Sequence, residues 1–562
     1  MITMALVCSA AIAGAQTMYD AITFSQTNYY GTARSMGLSN AVTALGGDIG
    51  TIGINPAGAA VNSYCQFTLT PGFSISSVVS GYSLAGNGAY GTANRETNSQ
   101  LTMPNVGMIL NLDTGRNSGI KRLAFAMTVN STANNLSTAT AYGRGNTSTS
   151  LLGSFAAGAS GIPVADIVAS NAYNNTNYAW NTVMAAQSGM IATYDGLTDE
   201  YLGTTETIGS DGLIGVAGPL IQRSTVETKG NKSDILFNFS IDIADWLYLG
   251  FNIGIPTMNY SYNQTFVETA ADPNDFVINY DDGGTDKFRS ARYQYGYRAD
   301  VTGVYAKLGF IATPVKWLRI GAAVKTPTSM NIDEQWKVSG DVNYTSGEVG
   351  SSTSPTGDWS YNFKSPFEAN IGAAVTFGKK GFVSLDYELA DYSVMKFQDT
   401  SDDGFISTDS YYIVNRLNSL FCGLQHSLRL GGEFKPASQF ALRAGMSLVT
   451  SPEYTWTDNL GLEVNAAEYE AYFNDFESGV YQLVDRKGKG VALASFSLGA
   501  GYYSKGSFFT DLALRLNKFA TTYTKPYGDY IFDTDGNVEI ASPTIRDSRT
   551  LWDIALTIGW RF

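Results

Sequence analysis

The last twelve residues, 551–562, constrain the fold of this chain most, because their side chains alternate without a break. One face of the strand carries Trp552, Ile554, Leu556, Ile558, Trp560 and Phe562, and the other carries Asp553, Ala555, Thr557, Gly559 and Arg561. An apolar face with aromatics at both ends, backed by a polar face, is typical of a membrane-spanning β-barrel strand. An edge strand of a soluble β-sandwich is the alternative that this segment alone leaves open.

The composition supports the membrane interpretation. The chain has 562 residues, of which 44% are hydrophobic and only 15% charged, and its mean hydropathy is -0.07. No run of about 18 apolar residues is present, so the sequence predicts no transmembrane helix. Apolar residues placed at every second position escape a hydropathy window, as in barrels. The net charge of -14 argues against a nucleic-acid partner, because phosphate binding needs clustered Lys and Arg.

Period-two segments recur along the whole chain and predict strands. They lie near 65–76, 101–112, 121–130, 235–243, 247–255, 300–313, 318–324, 359–377, 383–389, 428–434, 440–448, 491–504, 512–516 and 549–562. Short turns alternate with long connections, as expected when turns face the periplasm and loops face the outside. We therefore predict an all-β protein, a transmembrane antiparallel β-barrel of about 14 strands in the bacterial outer membrane.

The longest connection, residues 131–232, is longer than a simple connecting loop requires. It begins rich in Asn, Ser and Thr and then becomes apolar, which suggests some helix. The apolar residues are Val164, Ile167, Val168, Trp180, Val183 and Met184. The segment is interpreted either as a lid over the barrel mouth or as a surface subdomain with a small core of its own.

The N-terminal end divides into two parts before the barrel, which is expected over 63–562. Residues 1–15 resemble a secretory signal peptide, because a short apolar run precedes the small residues Ala13-Gly14-Ala15, although a basic start is missing. Residues 16–62 are rich in small residues, with Arg34 and Asp48 as isolated charges. This composition indicates a compact segment packed inside another structure rather than a linker.

Several motifs give the chain a specific resemblance. They are Gly31-Thr-Ala-Arg34, Leu45-Gly-Gly-Asp48, Asn55-Pro-Ala57, Trp317-Leu-Arg319, Asp386-Tyr-Glu388, Leu428-Arg-Leu-Gly-Gly-Glu433 and Gly559-Trp-Arg-Phe562. With these, nearly the whole mature chain resembles the long-chain fatty acid transporter (FadL-type) family, in its Bacteroidetes-like branch. The resemblance implies a fourteen-stranded barrel, passage of hydrophobic molecules, and a lateral exit in the third strand near Leu123–Val129.

The resemblance also implies that residues 16–62 form an N-terminal hatch inside the lumen. The residues expected to shape or gate this hatch are Arg34, Gly47, Asp48, Asn55, Pro56 and Ala57.

Strand parity places a second set of charged residues on the inward faces, opposite apolar lipid-facing positions. These are Arg319, Asp386, Glu388, Arg429, Glu433, Arg443, Asp511, Arg515, Asp553 and Arg561. Their mixed signs suggest a polar clamp that holds the hatch through ion pairs. A hydrated lumen whose charges simply face water is the alternative.

Catalytic and metal chemistry find little support in the sequence. His426 is the only histidine, and Cys65 and Cys422 are too few for a disulfide framework. The run 399–410 imitates the start of a calcium loop but has Ser410 where a bidentate Glu is needed. We expect no enzyme activity, no cofactor and no metal, and interpret 399–410 as an acidic turn, with calcium as the alternative.

The functional hypothesis is an outer-membrane channel for small hydrophobic, fatty-acid-like molecules, with membrane lipid and an apolar ligand as partners. The main alternative is a barrel subunit that acts as partner or scaffold in a larger envelope complex, which would imply envelope protein partners. An open polar porin is a third possibility, and the 16–62 segment argues against it.

Overall fold

The computed structural model describes residues 4–5, 16–84, 91–210, 212–280, 283–400, 406–407, 409–532 and 538–562. The expected signal peptide lies outside these residues except for Met4–Ala5, and most of the acidic run 399–410 lies outside them as well.

Fourteen strands within the described residues close into an antiparallel barrel. They are β1 (Gln66–Ser83), β2 (Asn94–Asp113), β3 (Ile120–Asn134), β4 (Asn231–Ile243), β5 (Leu247–Ala270), β6 (Thr285–Val315), β7 (Leu318–Lys325), β8 (Phe367–Thr376), β9 (Gly381–Asp391), β10 (Leu424–Ala437), β11 (Phe440–Thr450), β12 (Val491–Tyr503), β13 (Phe508–Phe519) and β14 (Thr544–Arg561). Each strand pairs with the next, and β14 pairs with β1 from Arg561↔Gln66 to Thr544↔Ser83. The predicted fold class is confirmed.

One predicted strand is divided in two. The pattern at 359–377 becomes an outer strand, Gly357–Lys364, followed by β8. The break falls at Ser365-Pro366, where proline cannot donate a ladder hydrogen bond. The two pieces also have different neighbours, because the outer strand pairs with Ser329–Tyr344 and β8 pairs with β7 and β9.

The barrel wall has an apolar outer face and a polar inner face. Phe251, Leu442 and Leu514 point outward and are exposed, whereas their neighbours Asn252 and Arg443 are buried and point inward. In contact with lipid, each exposed apolar side chain avoids the cost of meeting water, which stabilises the barrel in a membrane. The alternation of outward and inward side chains predicted from the sequence is therefore confirmed for these strands.

On one side the wall continues beyond the apolar band. The outward residues of β6 change from Phe310, Leu308 and Val304 to Thr302 and Arg298 towards its start, which marks the upper edge of the lipid-facing surface. Above this edge, further strands widen the sheet beside β5 and β6. They are Ser137–Asn146, Leu220–Lys229, Ser329–Tyr344, Val349–Thr353, Gly357–Lys364 and Lys396–Thr400.

The remaining elements are short. The helices are α1 (Met18–Ser25), α2 (Ala33–Gly37), α3 (Leu151–Ala159), α4 (Val164–Ile167), α5 (Trp180–Gln187), α6 (Tyr412–Phe421), α7 (Ala466–Ala471) and α8 (Phe473–Glu477). Other strands are Ile191–Thr193, Tyr201–Gly203, Glu206–Ile208, Ile214–Val216, Val277–Asn279, Ile406–Ser407, Tyr454–Asp458, Glu463–Val464, Leu483–Gly488, Thr522–Lys525, Ile531–Phe532 and Val538–Ile540. In the described part of the chain, we find no helix with the length and apolarity to cross a membrane.

Two apolar clusters cap the outer end of the barrel. The first cap joins α3, α4 and α5 to the upper parts of β5 and β6, with Leu152 and Met184 packed near Phe266 and Phe288 of the wall. Because wall residues complete this cluster, the long loop has no separate core, and Val168 is exposed rather than part of it. The second cap joins α6 and α7 to α1 of the N-terminal segment.

Candidate functional site

The N-terminal segment, residues 16–62, lies inside the barrel and is buried along most of its length. Its α2 contacts β12 and β13, and the turn Pro56–Ala59 contacts β4, β5 and β6 on the other side of the lumen. Small residues on the wall allow this approach: a Cβ on Gly321 would lie 2.3 Å from the carbonyl oxygen of Thr43. The segment therefore fills the cross-section of the barrel.

The Asn55-Pro56-Ala57 motif forms a turn fixed from both ends. The Asn55 side-chain oxygen accepts a hydrogen bond from the Ala57 N–H at 3.1 Å, which begins the Pro56–Ala59 turn. The Asn55 amide donates to the carbonyl oxygens of Thr43 at 2.7 Å and of Phe310 in β6 at 2.9 Å. Proline suits the first position of the turn because it lacks an N–H.

The other three residues expected in the hatch lie together at a second bend. Gly47 has a φ of +74°, a left-handed conformation that glycine adopts without strain. Its carbonyl oxygen accepts a hydrogen bond from Arg34 at 3.4 Å. The Asp48 carboxylate is buried and accepts a hydrogen bond from the Thr32 hydroxyl. Arg34 also reaches the wall, with its Nε 3.5 Å from Glu433.

Most hydrogen bonds between wall side chains and the segment involve the segment's backbone. Asn238, Asn252 and Lys307 donate to the carbonyl oxygens of residues 56, 52 and 53 at 2.9, 2.8 and 2.9 Å. Asn370 donates to the carbonyl oxygen of residue 54 at 3.1 Å. Sequence analysis missed these four residues, although their inward parity on β4, β5, β6 and β8 was a signal that could have found them.

The charged residues of the expected clamp pair mainly with one another along the wall. Arg429 binds Glu388 at 2.8 Å, and Arg443 binds Glu433 at 2.7 Å and Asp511 at 2.6 Å. Among the described residues, Arg34–Glu433 is the one ion pair that links the segment to the wall. These charges therefore pair mainly within the wall, and the segment's other polar contacts with the wall are hydrogen bonds rather than ion pairs.

Two further members of this set contact the segment through hydrogen bonds that are not ion pairs. Asp386 accepts a hydrogen bond from the Thr43 N–H at 2.7 Å, and Arg515 donates to the Tyr29 carbonyl oxygen at 2.8 Å while pairing with Asp553 at 3.3 Å. Arg319 is half-buried, and its Nε has no hydrogen-bond partner among the described residues.

The third strand has no opening at the position expected for a lateral exit. Leu123–Val129 pair without interruption with both β2 and β4, so the wall is continuous there. Pairing with β2 ends at Asn130↔Asn105. Just above, the carbonyl oxygens of Ser131 and Thr132 accept hydrogen bonds from the N-terminal segment, namely from Tyr30 N at 3.0 Å and Asn28 N at 2.6 Å. The edge of β3 is thus completed by the segment itself.

The outer end of the segment is anchored at one buried carboxylate. Glu334 accepts hydrogen bonds from Gln16, from the Tyr297 hydroxyl at 2.9 Å and from the Tyr361 hydroxyl at 3.1 Å. Burial raises the pKa of Glu334 to about 7, with the nearby Asp20 carboxylate adding to the shift. This anchor lies above the apolar band of the wall.

A metal centre finds no support in the described part of the chain. There, no three His, Cys, Asp or Glu side chains are grouped to hold an ion. The His426 Nδ1 shares a hydrogen bond with the Tyr387 hydroxyl at 2.7 Å instead. Most of the run 399–410, on which the calcium hypothesis depends, lies outside the described residues.

A closed barrel with an apolar exterior and a lumen filled by its own N-terminal segment defines a plugged, outer-membrane β-barrel of bacteria. No protein-family model and no curated protein sequence matches the chain.

Solved structures with a similar fold include a FadL homologue of Pseudomonas aeruginosa, with a TM-score of 0.48 and 12% identity over 95% of this chain and 98% of that one. The toluene transporters TodX of P. putida and TbuX of Ralstonia pickettii give TM-scores of 0.46 and 0.43, each at 12% identity over 94% of this chain and 98% of theirs.

Proposed function

We propose that this protein is a channel for inward passage of small hydrophobic molecules, with residues 16–62 as a movable hatch. The observation that carries the proposal is how the segment is held. Apart from the backbone bonds of Asn28 and Tyr30 to β3, its hydrogen bonds to the wall involve mainly separate side chains such as Asn238, Asn252 and Lys307. Such bonds contribute about 1 kcal/mol each and can be exchanged one by one as the segment shifts.

The route follows from the position of the hatch. A ligand captured between the outer caps would reach α1 and then the edge of β3 above Asn130, where the hatch now completes the wall. Release of Asn28 and Tyr30 from that edge would open a side path to the lipid. In this proposal, the exit lies a few residues above the position implied by the family resemblance.

The proposed ligands are fatty-acid-like, because buried cations that could bind a carboxylate lie below α1. The Lys232 ammonium donates to the Phe24 carbonyl oxygen at 2.7 Å, and Lys325 pairs with Glu368 at 2.8 Å. If a ligand displaced the end of α1, Lys232 would lose its partner and become available to a carboxylate. We include the chain in the FadL-type family as part of this proposal, with its Bacteroidetes-like branch as a finer prediction.

The test is uptake in a strain that lacks the protein. Entry of several apolar probes, including a long-chain fatty acid, should slow in the deletion strain and recover when the full chain is restored. Pro56→Ala loosens the hatch turn, because proline fixes its own backbone angle, and should slow uptake while barrel abundance and heat-modifiable migration stay normal. Undiminished uptake of every probe in the deletion strain would reject the channel.

A scaffold in an envelope complex is the second candidate, and one surface favours it. Residues 458–485 contain seven acidic residues and no basic ones. The same stretch exposes Leu460, Leu462, Val480 and Val484, each more than 60% exposed. Apolar side chains at this exposure suit a partner protein. Under this alternative, changing all four to Ser would abolish recovery of one specific partner, and uptake would not depend on the protein.

A further inference from the structure

The six short turns at the end of the barrel opposite the caps are basic, although the chain as a whole is acidic. The turns and the strand ends beside them are residues 113–119, 244–246, 314–317, 377–380, 435–439 and 504–507. They carry six Lys or Arg residues and two carboxylates, in a chain whose net charge is -14. A local charge opposite in sign to that of the chain indicates an electrostatic role of its own for this end.

Five of these six cations are available to an external anion. They are exposed and form no ion pair among the described residues, and we name them the cationic rim: Arg116, Lys316, Lys379, Lys380 and Lys505. The sixth, Lys435, is half-buried and pairs with Glu433 at 3.5 Å.

The two carboxylates of the turns do not neutralise the cationic rim. Asp245 pairs with Lys121 and Arg122, which lie outside the rim. Asp113 accepts a hydrogen bond from the Gly115 N–H at 2.8 Å and thereby stabilises its own turn. The rim therefore keeps a positive charge that the nearby side chains do not balance.

Exposed aromatic side chains indicate the depth of the cationic rim in the membrane. Each lysine of the rim lies within three residues of one such side chain, namely Trp317, Phe377 or Phe508. Aromatic residues at the edge of the apolar band mark the boundary between lipid and water. Three residues span at most about 10 Å, and a lysine stem can extend back along the wall, so the ammonium groups reach the headgroup layer.

The cationic rim extends around the barrel rather than forming one patch. Its members lie in the turns between β2 and β3, β6 and β7, β8 and β9, and β12 and β13. A soluble protein bound at one side would reach only part of this set, whereas lipid headgroups surround the barrel. Short turns face the periplasm in outer-membrane barrels, so the headgroups beside the rim belong to the periplasmic leaflet.

We propose that the cationic rim binds the headgroups of anionic phospholipids in the periplasmic leaflet of the outer membrane. Charge complementarity, the depth of the rim and its extent around the barrel all favour this ligand. A Lys or Arg near an anionic lipid surface strengthens binding about fivefold. Such lipids would hold the barrel at a fixed depth, and this role does not depend on the proposed channel function.

The test compares the lipids around the purified full chain in nanodiscs of phosphatidylcholine with a minor share of phosphatidylglycerol. Electron spin resonance of spin-labelled forms of both lipids gives their relative association constant at the protein. The unmodified chain should favour phosphatidylglycerol, and added salt should weaken this preference by screening the charges. Lys379→Gln/Lys380→Gln/Lys505→Gln should lose most of the preference, whereas Lys379→Arg/Lys380→Arg/Lys505→Arg keeps the charges and should retain it.

A matched control removes the same number of charges from outer strands above the lipid. Arg223→Gln/Lys337→Gln/Lys487→Gln changes three exposed cations and should leave the lipid preference unchanged. Heat-modifiable migration shows that each variant is folded.

Four outcomes would overturn the proposal. The first two are equal association of both lipids with the unmodified chain and an undiminished preference in the Gln variant of the rim. The third is the same loss in the control variant, which would assign the preference to net charge. The fourth is displacement of phosphatidylglycerol by hexaglutamate, which would indicate an acidic protein partner at the rim instead of lipid.

Discussion

At the scale of single residues, the close approach of hatch and wall depends on Gly321. A Cβ at this position would lie 2.3 Å from the Thr43 carbonyl oxygen, a distance that backbone atoms cannot tolerate. Gly321→Val should therefore displace the hatch and raise ion conductance in planar bilayers. Gly432→Val is the matched control, because a Cβ there finds its nearest atom at 3.7 Å, and it should leave conductance unchanged. Equal conductance in the two variants would show that the hatch does not press on Gly321.

The Glu334 anchor predicts a pH dependence of the outer end of the hatch. The pKa of Glu334 in the folded protein is about 7, above its ordinary value of 4.5. The folded state thus holds the proton more strongly, and the penalty for a buried carboxylate grows as pH rises through 7. Hydrogen exchange of residues 16–25, corrected for intrinsic rates, should become faster from about pH 5 to about pH 9.

The variant Glu334→Gln tests the cause of that dependence. The amide keeps an acceptor for Tyr297 and Tyr361 but does not titrate in this range. Exchange of residues 16–25 should then be nearly independent of pH. The same pH dependence in Glu334→Gln would assign it to another group, of which Asp20 is the nearest charged candidate.

Residue roles were only partly accessible from the sequence. Strand parity was sufficient to place Arg429, Arg443 and Asp511 on the inner face, because lipid requires apolar residues on the other face. It did not reveal that these charges would pair with one another, since pairing depends on the register between strands. The contacts of Asn238 and Asn370 with the hatch were missed because inward parity places an Asn in the lumen but does not show which backbone group it meets.

At the scale of elements, Glu268 fixes the first outer cap to the wall. Its carboxylate accepts hydrogen bonds from the Ser150 hydroxyl at 2.7 Å and the Leu151 N–H at 2.8 Å, at the N-terminus of α3. A buried anion there satisfies free N–H groups and complements the helix dipole. Glu268→Ala should lower the free energy of local opening of α3 by about 2 kcal/mol, measured by hydrogen exchange of residues 151–159.

A nearby exposed carboxylate supplies the control for this prediction. Glu227 lies on the adjacent outer strand, and its one ion pair among the described residues is with the exposed Lys229 at 3.2 Å. Exposed pairs contribute little, so Glu227→Ala should leave the exchange of α3 unchanged. If Glu268→Ala also left it unchanged, the cap would be held by its apolar cluster alone.

The strands of the barrel were predictable because lipid enforces an alternation of period two along each of them. The outer strands, such as Leu220–Lys229, were missed because their outward faces meet water, and mixed polar side chains there obscure the alternation. Their pairing with β5 also depends on contacts between distant parts of the chain. For the same reason, the sequence left open whether the long loop had its own core.

At the scale of the whole molecule, two caps cover the outer end of the barrel, and the hatch, with α1 at its outer end, fills the lumen that the wall encloses. The hatch contacts each of the others, through α1 in the second cap and through hydrogen bonds along the wall. Under the proposed channel function, passage of a ligand therefore requires movement of the hatch.

A reversible cross-link between hatch and wall measures this requirement directly. The hydroxyls of Ser39 in the hatch and Ser497 in β12 are 2.7 Å apart, so cysteines at both positions would lie within reach of a disulfide. The matched control joins Thr140 and Thr225, whose hydroxyls are 3.4 Å apart on two outer strands away from the hatch. Both pairs would be made in a chain with Cys65 and Cys422 replaced.

The measurement is uptake of an apolar probe by cells carrying each pair, before and after reduction. We expect the oxidised Ser39→Cys/Ser497→Cys protein to block uptake and a reductant to restore it, while the Thr140→Cys/Thr225→Cys protein takes up the probe in both states. Uptake at the unmodified rate through the fully oxidised hatch cross-link would contradict the account, because a ligand would then pass without movement of the hatch at Ser39.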